Sequence, residues 1–589
     1  KENNMAIFQS PGVNVSEVDL TTTVPGVSTA VGGFAGHFAW GPANQVTTVI
    51  SEVDLVNKFG KPNTSNYQDF FSAANFLSYA NNLSVVRVCG STGPAKNACA
   101  GATSALIQNL ADYQSKTLPI SNAGSWIAKY PGVLGNAISV YTLDSGNFYA
   151  ATGPIAGGTV GINSYFGYSG ASGAFAPSTS NFALSKGATG ALDEVHVLVV
   201  DGTGAITGTA GTVLEKYKGL SKFSDAIGDS GNTSYYVNVI NNNSPYIWFN
   251  NVPGATGSGT VAWGTASNAF TNTAVFKQMA NTEGKDSLTG AVDDYSTSVV
   301  AAGTGYNLFA ADTVPADLVI AGAAAPSVVN SIAAITTARK DNVLFFSPQQ
   351  SSVVNNAGNE TTSVIADYAS ANLGTTSYAF MDSGWKYQYD KYSDVFRWVP
   401  LNGDIAGLCA RTDQTRDPWY SPAGYNRGGI KNLVKLAWNP AQANRDALYQ
   451  SNVNPVITQP GVGTVLFGDK TTLAKPSAFD RINVRRLFIV LEKTISQASK
   501  FSLFELNNAS TRTQFVNLVE PFLRQVKGRN GITDYKVVCD TTNNTPQVID
   551  ANQFVGDIYV KPARSINYIQ LNFIATPTGV DFNTVVGQF

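Results

Sequence analysis

This chain of 589 residues is poor in the side chains that do chemistry: it has two histidines, His37 and His196, four cysteines and three methionines. A histidine-based hydrolase triad or metal site would have to use one of those two imidazoles. His196 sits inside an apolar strand pattern, where a structural histidine is the usual case. Cys89, Cys99, Cys409 and Cys539 are widely scattered and form no C-x-x-C pair, which argues against a zinc knuckle or a redox dithiol. That spacing suits a reducing compartment. Charge is also scarce, at 13% of residues against about 25% in a typical soluble chain. Either a neutral Ser/Thr/Asn surface or extensive burial between subunits accounts for it. The net charge of −2 is not the basic footprint of a general nucleic-acid binder. No apolar run reaches the roughly 18 residues of a membrane span. No G-x-S-x-G elbow is present, and no signal-peptide pattern opens the sequence; Met5 is a candidate start after Lys1–Asn4.

What is plentiful is apolar residues, 43%, and glycine, 55. That suffices for several cores, so a multidomain chain is expected. Ile7 to Leu20 reads as an extended arm, with Val13-Asn14-Val15-Ser16 alternating and too few apolar residues to fold alone. Strands are expected near 29–35, 46–50 and 85–88. Ser51 and Gly60 bracket a short helix, and a second runs from about Gln68 to Ala80. Tyr130-Pro131-Gly132 is a turn leading into a strand. Residues 150–190 read as loops, and Glu194–Val200 as a buried strand. Asp317–Ala321, Ser331–Lys340 and Val343–Phe346 have a parallel strand–helix–strand pattern. A helix is expected at Ile365–Leu373, a strand pair within Lys386–Trp398, and a helix opening near Gly403.

Two near-motifs weaken on inspection. Gly463-Thr464-Val465-Leu466-Phe467-Gly468-Asp469-Lys470-Thr471 approaches G-x-x-x-x-G-K-[ST], but Asp469 stands where the lysine belongs and would repel phosphate; a β-turn is expected. Val199–Gly208 imitates a dinucleotide loop with its third glycine displaced, and a hairpin turn is expected instead. Asp293-Asp294 reads as a solvated acidic pair.

From Arg481 the pattern sharpens. Val484, Leu487, Phe488, Leu491, Ile495 and Ala498 recur at helical spacing. A second helix is expected after Thr511-Arg512-Thr513-Gln514, a capping-box pattern, with Phe515, Leu518, Val519, Phe522 and Val526 on one face, Pro521 inside and Gly528 at its end. Three strands should follow, near 532–539, 554–561 and 565–574. Between Arg481 and Arg529 nine basic residues stand against three acidic ones.

Phe479-Asp480-Arg481-Ile482-Asn483-Val484-Arg485-Arg486-Leu487, Phe504-Glu505-Leu506-Asn507-Asn508, Val538–Pro546 and Val560–Ile569 together resemble the C-terminal domain of contractile bacteriophage tail sheath proteins of the T-even type. Phe38-Ala39-Trp40-Gly41-Pro42, the Tyr130-Pro131-Gly132 turn and Asp417–Gly428 resemble the same family. The likeness spans about 30–90, 126–140 and 380–575. The interval Gly90–Trp126 is short for the outward domain that such sheaths carry there. The resemblance implies an α+β multidomain subunit: an N-terminal arm at 1–22, an outer α/β region with loop-rich insertions at 23–375, an inner assembly domain at 376–574 and a C-terminal arm at 575–589. It also implies a homo-oligomer of stacked hexameric rings, contraction around a tail tube protein, and baseplate and tail terminator partners. No enzyme activity, cofactor, direct nucleic-acid contact or membrane insertion is implied. The virion tail, assembled in the host cytoplasm, is its expected place; the sheath of a phage-derived injection machine or bacteriocin is the alternative, and a cell-wall hydrolase a more distant one. In the family both ends donate strands to neighbours, which assigns that role to Val13, Val15, Val18, Val580 and Phe582, with Ile569, Leu571 and Phe573 as acceptor strand. Arg485, Arg486, Lys493 and Lys500 become candidates to face an acidic tube.

Overall fold

A computed structural model describes residues 29–90, 94–150, 152–155, 158–166, 176–254, 259–280 and 284–571. The chain divides into two compact units, one spanning Thr29–Arg485 and the other beginning at Arg486.

The larger unit is built on a seven-stranded sheet of β1 (Gly32–Gly36), β2 (Val46–Val49), β3 (Leu83–Arg87), β4 (Leu318–Ile320), β5 (Val343–Phe346), β6 (Ala379–Asp382) and β7 (Val453–Asn454). Their order is β7-β6-β5-β4-β1-β3-β2, parallel throughout except for β2, which pairs antiparallel with β3 at one edge. Strands of a covered parallel sheet are buried on both faces and read as unbroken apolar runs. Leu-Val-Ile in β4 and Val-Leu-Phe-Phe in β5 are such runs, and every residue of both is buried. The sheet takes strands from both sides of residue 375, so its core is not confined to either half of the chain.

Helix α1 (Glu52–Phe59) is punctuated as its sequence predicts. The Ser51 side chain accepts from the Asp54 N–H, and Gly60, at φ +79°, ends it. Helix α2 (Tyr67–Leu77) packs on β1 and β3, α3 (Pro326–Arg339) on β5 and on α4 (Glu360–Ala371), and α5 (Asn402–Thr415) lies against α2, β4 and β5. From Asn402 to Ala410 every residue of α5 is buried, as befits a helix covered on all sides. The approach to α2 is close: a Cβ on Gly403 would stand 2.2 Å from the Ser72 carbonyl oxygen.

Between β3 and β4 the chain builds a second core on an antiparallel sheet ordered Lys285–Ser287, Ile138–Leu143, Glu194–Asp201, Thr212–Ser221. The stretch 150–190, expected as loops, also contains a small ladder, Thr152–Ile155 with Gly158–Gly161, and a short helix, Asn181–Ser185. Asp201 makes the turn of the large hairpin: its carboxylate accepts from the Gly204, Ile206 and Thr207 N–H groups. The dinucleotide-like glycines therefore serve a hairpin, as expected.

The second unit contains most of α6 (Ile482–Ser499), then α7 (Ala509–Gly528) and the antiparallel pair β8 (Ile532–Val538) and β9 (Asp557–Pro562). The cap of α7 differs from expectation. Asn508, not Thr511, is the N-cap; its side-chain oxygen accepts from the Thr511 N–H, so Thr511 is already inside the helix. Pro521 lies within the continuous helix. The third expected strand, 565–574, is absent over its described part: residues 565–571 join no ladder.

Candidate assembly surfaces

The second unit is a small layer with open edges. Helix α7 buries Phe515, Val519, Leu523 and Val526, a stripe at three- and four-residue spacing. Gly556 approaches the Phe515 ring closely. Asn544 organises the link between the strands: its Oδ1 accepts from the Val555 N–H at 3.0 Å and its Nδ2 donates to the Val555 carbonyl at 2.7 Å. Among the described residues β8 pairs with β9 alone and β9 with β8 alone, which leaves both outer edges open. Two strands are marginal as an independent sheet, and an open edge is a template for another strand.

Apolar side chains are uncovered beside that incomplete sheet. Ile566, Tyr568, Ile569 and Leu571 are between 71% and 81% exposed. Between α6 and α7, Phe501, Leu503, Phe504 and Leu506 are exposed as well, with Phe504 at φ +68°, an unusual conformation for a bulky residue. This tip is held in place: Asn507 donates to the Gln553 carbonyl at 2.8 Å and accepts from Arg512 at 2.9 Å. The sheath-like block Phe504–Asn508 falls on this tip, and the run Phe501-Ser502-Leu503-Phe504 directly after a helix is the local signal of its exposed apolar side chains. Val13, Val15, Val18, Val580, Phe582 and Phe573 lie outside the described residues.

The four basic candidates separate. Arg485 is buried, not on an outer helix face: its guanidinium lies 4.0 Å from the Phe479 ring centroid and 4.4 Å from that of Tyr378, and it donates to the Tyr378 hydroxyl. Flat, delocalised Arg stacks well between aromatic faces. Arg486 is buried too. Lys493 is half-buried and Lys500 exposed.

The residues that could have carried chemistry are placed in structural roles. Within the near-phosphate loop, Gly463–Leu466 is a strand paired with Val456–Gln459, rather than a β-turn, and no α-helix opens after Lys470 until Ile482. Asp469 is buried near Arg481, and Lys470 Nζ donates to the Tyr449 carbonyl at 2.6 Å. His196 accepts from the Gly219 N–H at 3.0 Å and packs on Phe148 and Phe166; burial depresses its pKa to about 4, so it is neutral at physiological pH. Asp294, expected in solvent, is buried and accepts from Gly90 N and Ser296 N and from the Ser296 and Thr297 hydroxyls. Its partners include a main-chain donor 204 residues away, which no local pattern announces. All four cysteines are buried and none is in a disulfide, and no cluster of three potential metal ligands occurs among the described residues.

A buried polar cluster joins the hairpin strand Trp385–Asp390, α5 and the end of α2. Asp404 Oδ1 accepts from Lys386 Nζ at 2.9 Å and from the Tyr79 hydroxyl at 3.0 Å; Lys386 also donates to the Lys431 carbonyl. Neither the Lys386 nor the Asp404 side chain has any exposed surface. Burial pushes the ammonium down and the carboxyl up, and each pulls the other partly back. The two groups titrate as a coupled pair and not independently.

Comparison with known proteins covers the chain in three blocks. Residues 30–88 match the tail sheath protein Gp18 domain III N-terminal region, 260–472 the phage tail sheath protein central domain, and 474–576 the phage tail sheath C-terminal domain. The tail sheath protein of Vibrio phage KVP40 is 35% identical over 98% of this chain and 99% of its own length. That of Enterobacteria phage T4 is 36% identical over the same shares. The helical sheath of the anti-feeding prophage in its contracted state shares the fold, with a TM-score of 0.50 at 12% identity, covering 97% of this chain and 100% of that one. Similarity that runs nearly end to end at this identity, together with the α+β fold, places the chain in the phage tail sheath protein family.

Proposed function

We propose that this chain polymerises through strand exchange into a helical sheath of stacked hexameric rings around a tail tube. Its contraction would drive the tube through the host envelope. The observation that carries the strand exchange is the two-stranded β8–β9 sheet, whose edges are open while Ile566, Ile569 and Leu571 stand uncovered beside it. Arms 1–22 and 575–589 supply the missing strands in neighbouring subunits: Val13, Val15 and Val18 from one end, Val580 and Phe582 from the other. They add beside Ile569, Leu571 and Phe573 by main-chain pairing, with alternate side chains setting register. Exchanged strands of this kind would hold subunits together while their bodies slide between two packings. The outer region 23–375 and the inner domain 376–574 divide the outward and tube-facing roles. Lys493 and Lys500 remain to meet an acidic tube surface through screened contacts, read by co-assembly across a salt series. Baseplate and tail terminator proteins bound the polymer in the virion tail after assembly in the host cytoplasm.

Deleting residues 1–20 tests the reading. The truncated subunit is expected to remain folded and soluble yet form no tubes under negative stain, where the full chain does. Tubes from the truncation would refute the strand exchange.

A further inference from the structure

The root of the region inserted between β3 and β4 is held by two cations of different kinds. Arg87, at the end of β3, is buried and donates to three carbonyls: Phe38 at 2.9 Å, Gly41 at 2.8 Å and Pro131 at 2.6 Å. The last belongs to the Tyr130-Pro131-Gly132 turn of the inserted region. An arginine keeps its charge at every accessible pH. The second cation is His37, directly after β1. Its Nδ1 lies 3.2 Å from Asp69 Oδ2 on α2, which also accepts the His37 N–H at 2.8 Å. Its Nε2 lies 3.2 Å from the carbonyl of Thr297, on the segment returning from the inserted region to the sheet. That segment is tied down in turn by Asp294, which accepts from Ser296 and Thr297, and by Asp293, which accepts from the Val133 N–H.

Both ring nitrogens therefore face acceptors only. A neutral imidazole donates through one nitrogen; only the imidazolium satisfies both. We propose that His37 is a proton-dependent clasp that binds the return segment of the inserted region to β1 and α2 when charged and releases one side of it when neutral. The ionisable groups facing the ring agree. Asp69 pairs with it from α2, Asp294 adds a second negative charge from the return segment, and the Tyr295 ring lies 5.9 Å away. Burial opposes the charge as the largest single influence, but Asp69, the Thr297 carbonyl and Asp294 together outweigh it and leave the His37 pKa above its ordinary 6.5. A histidine whose folded pKa is raised stabilises the fold fully below the unfolded value, and that contribution is lost as pH rises through the folded value. The clasp is thus closed at low pH and opens as pH rises through the His37 midpoint, which is raised above 6.5. In a subunit that must change packing, it makes the tie between sheet and inserted region conditional while Arg87 keeps its own tie permanent.

With two histidines in the chain, the titration is directly readable by NMR of the full-length subunit labelled at histidine Cε1, with His37→Gln assigning the signals. His37 is expected to titrate above 6.5 and His196 far below it. Hydrogen exchange of peptides covering 293–300, corrected for intrinsic rates, should quicken on the order of tenfold as pH rises through the His37 midpoint, the scale of one lost charged hydrogen bond. In His37→Gln that pH dependence should vanish. A His37 midpoint at or below 6.5 overturns the proposal even if the variant fails to fold. So does the same pH-dependent loosening of 293–300 in the wild type and the variant.

Discussion

Replacing Lys386 by Met is the sharpest test of how the larger unit is held together. The substitution keeps the length of the side chain and removes the ammonium from a site with no solvent access. Asp404 would then keep the Tyr79 hydroxyl as its hydrogen-bond donor, and the Lys431 carbonyl would lose the one supplied by Lys386. Breaking a buried pair by removing one partner costs about 3–5 kcal/mol, because the remaining charge is stranded. Here burial already pushes the Asp404 carboxyl upward, so the stranded group can take up a proton instead of staying charged. The loss should therefore be larger at pH 8 than at pH 5. Urea unfolding of the soluble full-length subunit reads the effect through the fluorescence of Trp385, buried next to the site. Lys386→Met with Asp404→Leu removes both charges and should recover most of the loss, giving a coupling energy of at least about 2 kcal/mol in the double-mutant cycle. Additive losses in the double variant, or an unchanged midpoint for Lys386→Met at pH 8, would refute the reasoning.

Gly403→Ala should destabilise by about 1–3 kcal/mol although alanine is the better helix former, because the new methyl meets the backbone carbonyl of Ser72 and α5 must move off α2; a thermal melt at or above wild type would count against it. Asp382 is buried, accepts from the Ser347 hydroxyl at 2.6 Å and from the Gly384 N–H at 2.9 Å, and is pushed by burial to about 7. With its folded pKa raised, the stability it contributes is complete below the ordinary carboxyl range and lost as pH rises toward about 7. Asp382→Asn removes the charge but keeps only one acceptor oxygen, enough for the Gly384 N–H and not also for the Ser347 hydroxyl; its stability relative to wild type should therefore be more favourable at pH 8 than at pH 4, by urea midpoints at the two pH values.

Local chemistry was legible in the sequence. Ser51 and Gly60 bracket α1 because caps act within one helical turn, and the apolar period of 484–498 marks α6 because its neighbours lie three and four residues apart. The parallel character of β4 and β5 follows from unbroken apolar runs flanking a helix, and the sheath-like blocks from residues 479 to 569 identify the family directly. Other features needed the folded chain. Asn508 took the cap from the Thr511 box because an N-cap must also have extended backbone, which the motif alone does not show. Residues 565–571 alternate like a strand, yet a strand exists only where a partner edge accepts its main chain, and among the described residues none does. Arg485 and Arg486 have the charge of a surface helix, but the rings of Tyr378 and Phe479 close over the first and both are buried. His37 offered no local signal, since its acceptors come from Asp69 and from Thr297, 260 positions further along. Period, caps and turn residues are set by neighbours within a few positions, so the sequence determined the elements and their family. Ion pairs, stacked cations and sheet edges are set by which distant segments meet, and only the tertiary structure decided those.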